Sequence, residues 1–155
     1  MNYTFYSNSE KDTLNFGKKL ASLLKPKDIL VLTGELGSGK TKFTEGFLSY
    51  FNLEDEISSP TFNIVNEYCK NDINIFHFDV YRLEDSSEFS EIGGEEYFEK
   101  GICLIEWGEL IQDVLPKDYL KITFYKNSNE GNENTRILEL TSFGSKYDDL
   151  IKSLN

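Results

Sequence analysis

Residues 34–41 read Gly-Glu-Leu-Gly-Ser-Gly-Lys-Thr, a complete G-x-x-x-x-G-K-[ST] pattern, directly after the apolar run Ile29-Leu-Val-Leu-Thr33. This junction restricts the fold more than any other stretch of the chain. A run of strand length that is apolar at successive positions belongs in a parallel sheet covered on both faces. Glycines then let the backbone curl so that successive N–H groups point at one anion. A helix expected over Lys40 to Phe51 adds its unsatisfied N–H groups and partial positive charge at the same point. Phe43, Phe47 and Phe51, spaced four apart, give that helix an apolar side. Strand, glycine turn and helix in this order predict a phosphate cradle. Its members are Gly34, Gly37, Ser38 and Gly39, with Lys40 reaching the β and γ phosphates of a nucleotide and Lys42 beside them. The Thr41 hydroxyl is placed to ligate Mg²⁺.

The rest of the chain repeats the alternation of strand and helix. Tyr3 to Tyr6 reads as a short strand, and Ser9-Glu-Lys-Asp12 as a capping box. Leu14, Gly17, Ala21 and Leu24 recur at helical spacing, and Pro26 ends that helix. Phe62 to Tyr68 and Ile73 to Asp79 are expected strands. Leu83 to Lys100 looks helical but broken at Gly93-Gly94. Gly101 to Trp107 is a second buried strand, and Leu110 to Leu115 a short helix stopped by Pro116. Tyr119 to Phe124 and Arg136 to Thr141 read as strands joined by a mobile loop over Lys126 to Thr135; Ser145 to Leu154 makes a terminal helix. The expectation is a P-loop NTPase-like three-layer α/β sandwich with a mostly parallel central sheet. No repeat or linker divides the chain, so residues 1–155 are expected to form one domain.

Two strands end in acids: Asp79 after Ile75-Phe-His-Phe78, and Glu106 after Ile102-Cys-Leu-Ile105. In open α/β sheets ligands sit beyond the carboxyl ends of the strands. Either acid could be the Walker-B-type residue beside the Mg²⁺, and having two suggests that one holds the metal while the other orients water. Ser58-Ser-Pro-Thr61 is a loop in which Thr61 could close onto the γ-phosphate as a switch residue, or simply turn the chain. His77, the sole histidine, lies mid-strand on the face of Asp79, where a packed, hydrogen-bonded role is expected. Trp107 could serve the core, the nucleotide or a partner.

The formal net charge of −11 argues against tight, independent nucleic-acid binding, which rests on Lys and Arg neutralising phosphates. Between Leu83 and Glu99 lie seven acids and no base, either a solvated face or a docking surface for a basic partner. No apolar run approaches the roughly 20 residues that span a bilayer, and no secretory signal is seen. Cys69 and Cys103 form neither a disulfide framework nor a metal pattern, which fits a reducing cytoplasm with free thiols.

The P-loop, Ser59-Pro-Thr-Phe62, His77-Phe-Asp-Val-Tyr-Arg82 and Ile105-Glu-Trp107, in this order, resemble the TsaE (YjeE) family of bacterial P-loop ATPases over Ser9 to Leu140. The resemblance implies ATP hydrolysis supporting the formation of threonylcarbamoyladenosine beside the tRNA anticodon. It further implies a TsaD–TsaB pair as partner, tRNA being met only through that complex, and no membrane. Residue by residue, it implies Lys40 on phosphate and Thr41 and Glu106 on Mg²⁺. It also implies Asp79 on the attacking water, Thr61 in the switch loop, and Ser9 and Arg136 touching the nucleotide. The chain departs from the pattern at Gly108, where proline is expected in many relatives, and at Gly93-Gly94.

Two rival readings use the same loop. A small-molecule kinase commonly closes an arginine-bearing lid, and only Arg82 and Arg136 are available. A GTPase switch needs a guanine-reading N-K-x-D segment, but Lys70-Asn-Asp72 is preceded by Cys69.

Overall fold

Among the described residues, strand β2 (Ile29–Thr33) is the fourth of seven strands in one sheet, ordered β1-β7-β6-β2-β5-β4-β3. The computed structural model describes residues 1–56, 64–126 and 134–155. The other strands are β1 (Asn2–Ser7), β3 (Val65–Lys70), β4 (Ile73–Asp79), β5 (Ile102–Glu106), β6 (Tyr119–Lys126) and β7 (Arg136–Phe143). The four central strands β6, β2, β5 and β4 run parallel, while β3 and the β7–β1 pair join antiparallel at the two edges. The continuous apolar runs of β2 and β5 thus occupy the doubly covered middle that such runs require.

Alternation along those strands divides the core in two. Leu30, Leu32, Ile102 and Leu104 face one side of the sheet with Phe43 and Phe47, while Ile29, Val31, Cys103 and Ile105 face the other with Phe78 and Phe89. Each large apolar side chain buried in this way contributes about 1.5–3 kcal/mol. Helices α1 (Glu10–Leu23), α2 (Lys40–Tyr50) and α4 (Asp148–Leu154) bring Phe16, Phe47 and Ile151 to the first side. Helix α3 (Ser86–Glu91) and the 3₁₀ segments Gly94–Glu99 and Gly108–Val114 cover the second. The result is the expected three-layer sandwich.

Helices α1 and α2 cross in close contact through two glycines. A Cβ on Gly17 would stand 2.2 Å from the Phe43 carbonyl oxygen, and one on Gly46 1.8 Å from that of Leu14. Ser9 caps α1 as the capping box predicts, accepting from the Asp12 N–H at 3.1 Å, and the Asp12 carboxylate returns to the Asn8 N–H at 3.0 Å.

Three expected elements come out shorter or different in kind. The acidic stretch forms one short α-helix and a 3₁₀ segment, because Gly93 turns left-handed at φ 75° and Gly94 packs so tightly on Phe89 that a Cβ would lie 2.5 Å from its ring. The segment after Trp107 is 3₁₀, with a kink at Ile111. The terminal helix starts at Asp148, since Gly144 is left-handed and the Ser145 N–H is tied to Asp118 at 3.0 Å. The Thr61 switch loop, the first residues of the strand expected from Phe62 and most of the loop expected from Lys126 lie outside the described residues. Among those described, no helix is long and apolar enough to cross a membrane.

Candidate nucleotide site

Parallel pairing of β2, β5 and β4 sends their carboxyl ends out at one edge of the sheet. Leu32 is in register with Glu106, and Glu106 with Asp79. The loop after β2 and the two strand-end acids therefore meet at this edge, although they are far apart along the chain.

The loop itself is shaped by Gly37 and Gly39, whose φ angles of 80° and 110° lie in the left-handed region that a side chain disfavours. Gly39 is also the residue from which α2 starts, its carbonyl accepting from the Phe43 N–H at 3.0 Å.

A cavity of about 680 Å³ opens at this edge, lined among others by Gly37, Gly39, Lys40, Thr41, Lys42, Asp79, Glu106 and Arg136. Gly34 and Ser38 line a second, smaller cavity of about 400 Å³. Ser38 is buried, its hydroxyl has no hydrogen-bond partner among the described residues, and a Cβ on Gly34 would stand 2.6 Å from that oxygen. Ser9 does not line the main cavity. Its hydroxyl is engaged in capping α1, and two residues of that helix, Glu10 and Thr13, form the wall. Arg136 donates to the Gly37 carbonyl at 3.0 Å and so reaches the loop from β7. Lys42 pairs with Glu45 at 3.2 Å.

The centre of the site is a largely buried chain of polar contacts. Lys40 Nζ stands 3.5 Å from Glu106 Oε1 and 4.7 Å from the centre of the Trp107 ring. His77 Nε2 lies 2.7 Å from Glu106 Oε2. The side chains of Lys40, Glu106 and His77 are only 12%, 16% and 6% exposed, so water screens these contacts weakly. Burial pushes the Glu106 carboxyl up, but the His77 hydrogen bond and the His77 and Lys40 charges outweigh it and hold the group below the usual carboxylate range. Glu106 is thus an ionised acid inside the protein. Asp79 accepts from the Tyr81 N–H at 3.0 Å, which steadies its carboxylate at the strand ends.

This donor set fits Mg²⁺. The ion takes hard oxygen ligands, commonly one or two from protein and the rest from phosphate and water. Thr41 with its hydroxyl and Glu106 with its ionised carboxylate line one cavity, with Asp79 beside them.

Trp107 has its backbone in the left-handed region at φ 63°, and its ring meets Tyr81 at 5.3 Å as well as Lys40. Its N–H donates to the Leu32 carbonyl at 2.8 Å, prolonging the sheet past Glu106. The turn that follows is tight, since a Cβ on Gly108 would stand 2.8 Å from Val31. Thr13, Glu10 and Tyr81 escaped the sequence reading as cavity residues. Tyr81 belongs to the His77–Arg82 block, a usable signal; Thr13 carries none, being one turn inside a helix that only folding brings to the loop.

A glycine loop between a central parallel strand and a helix, with two strand-end acids in register beside it, defines a P-loop nucleotide-binding protein of the α/β class. The sequence profile described as "Threonylcarbamoyl adenosine biosynthesis protein TsaE" matches residues 7–136. This chain belongs to the TsaE family. It is 38% identical over 146 residues to the tRNA threonylcarbamoyladenosine biosynthesis protein TsaE of Bacillus subtilis, covering 94% of this chain and 89% of that one. The Haemophilus influenzae protein of the same name is 39% identical, with 91% and 92% covered. The crystal structure of Bacillus subtilis YdiB superposes with a TM-score of 0.79 at 32% identity, over 99% of this chain and 94% of that one.

Proposed function

We propose that this chain is a Mg²⁺-dependent ATPase that supports formation of threonylcarbamoyladenosine next to the tRNA anticodon, acting with TsaD and TsaB in the cytoplasm. Residues 1–155 serve as one P-loop domain. The observation that carries this reading is the convergence of Lys40, Thr41, Asp79 and Glu106 on one cavity of about 680 Å³. The family profile, together with relatives named for this tRNA modification, supports the biological setting.

In this reading the amides of the loop from Gly34 to Gly39 bind the phosphate oxygens, and Lys40 leaves Glu106 for the β and γ phosphates. Thr41 and Glu106 hold the ion, which when bound neutralises charge on those phosphates. Asp79 orients the attacking water, its carboxylate steadied by the Tyr81 N–H. Thr61, outside the described residues, keeps the switch-loop role that the family resemblance implies. Arg136 borders the nucleotide while also bracing Gly37, and Ser9 acts on the site only by capping α1, whose Glu10 and Thr13 face the cavity. The net charge of −11 leaves tRNA to the partner complex.

Calorimetric titration with ATP and with GTP, followed by phosphate release without any acceptor, tests the reading. Preference for ATP with release of phosphate is expected; a requirement for an acceptor substrate would favour the kinase. Recovery of the TsaD–TsaB pair from an extract in the presence of ATP tests the partnership, and its absence with and without ATP would overturn it.

A further inference from the structure

The two oxygens of Glu106 face different neighbours. Oε2 meets His77 Nε2 at 2.7 Å, and Oε1 meets Lys40 Nζ at 3.5 Å on the cavity side. His77 comes from β4 and Glu106 from β5, two parallel strands on which His77 is in register with Leu104 and Asp79 with Glu106. Because side chains alternate along a strand, His77 and Asp79 share the face of the sheet on which Glu106 stands. His77 is 5% exposed, and its Nδ1 is buried with no hydrogen-bond partner among the described residues. Among those residues, the ring's polar contact is the carboxylate.

We infer that His77 is a positioning residue: it fastens one oxygen of Glu106 so that the other is presented to the cavity and to the metal ion. This rests on the site reading proposed above. A glutamate has three rotatable bonds, and a carboxylate left loose in this pocket could turn both oxygens onto Lys40 and close the site by an ion pair. An ionised carboxylate only accepts hydrogen bonds, so His77 must present a proton on Nε2. A metal-ligating carboxylate held in this way by an outer partner is typically worth ten- to a hundredfold in metal affinity. The buried Nδ1 fits a ring kept for this single contact.

His77 is the only histidine, so a long-range proton–nitrogen spectrum of the full-length protein shows a single imidazole. A proton on Nε2 is expected, both in free protein and with a non-hydrolysable ATP analogue and Mg²⁺. A bare Nε2 in either state overturns the assignment. Two variants supply a second readout. His77→Gln places an amide donor near the Nε2 position, whereas His77→Asn places it too short to reach. ATP affinity is measured calorimetrically in Mg²⁺ and in EDTA. His77→Asn is expected to lose about tenfold or more of the gain that Mg²⁺ confers, read as the ratio of the Mg²⁺ and EDTA affinities, and His77→Gln to keep that ratio close to wild type. An intact Mg²⁺ gain in His77→Asn, or equal losses in both variants, overturns the inference. Should His77→Asn fail to fold, the wild-type spectrum decides alone. Wild-type protein that bound no ATP would sink the site reading itself, a result distinct from these.

Discussion

Lys40 points its ammonium at Glu106 and Trp107 on the cavity wall, not into the apolar core, so its removal is expected to spare the fold. Lys40→Ala is expected to lose most ATP hydrolysis with an unchanged circular dichroism spectrum; undiminished phosphate release would refute the assignment. Asp79→Asn is expected to lower kcat well beyond any change in ATP affinity, since an acid that aims water matters only in the transition state. Glu106 also sets a pH dependence. Its pKa is depressed in the folded state, so it contributes stability that is present above the ordinary carboxylate value, about 4.3, and is lost as pH falls through the native one. Urea melts from pH 7 to pH 3 should show a shallower acid decline for Glu106→Gln than for wild type. The thiols differ as their burial does. Burial pushes Cys103 up to about 12, whereas Cys69 is exposed. Iodoacetamide is expected to label one thiol in native protein and two after unfolding, and rapid native labelling of both would contradict this.

At the scale of elements, the glycines between α1 and α2 are the most sensitive contact. A methyl group on Gly46 meets backbone, which cannot rotate away. Gly46→Ala is expected to cost about 2 kcal/mol or more, measured by chemical denaturation, whereas an unaltered midpoint would mean that the helices slide freely. Such elements were legible to different degrees. β2 and β5 announced themselves by unbroken apolar runs, and α1 by its cap and spacing. The stretch from Leu83 to Lys100 did so in part: its break at Gly93-Gly94 was readable from the glycines, but the 3₁₀ geometry beyond it follows from Gly94 lodging against Phe89, a tertiary contact with no local signature. The tight turn at Gly108 is of the same kind: glycine there answers to Val31 on a neighbouring strand.

For the whole molecule, strand order was the hidden quantity. Lys40 and Thr41 stood out as site candidates from the loop alone, and Asp79 and Glu106 as strand-end acids. That the two acids stand side by side depends on β5 inserting between β2 and β4, which no local pattern states. The acids of α3 and the following 3₁₀ segment form a surface on the layer opposite α1 and α2, with Glu91 and Glu96 exposed. Reversing both to Lys is expected to weaken co-purification with the TsaD–TsaB pair, and undiminished association would leave that face merely solvated. A single tryptophan serves the entire chain, and a lysine ammonium hangs over its indole. If ATP draws that lysine away, as proposed, the electric field across the ring changes, and ultraviolet emission becomes a built-in meter of occupancy that needs no attached dye.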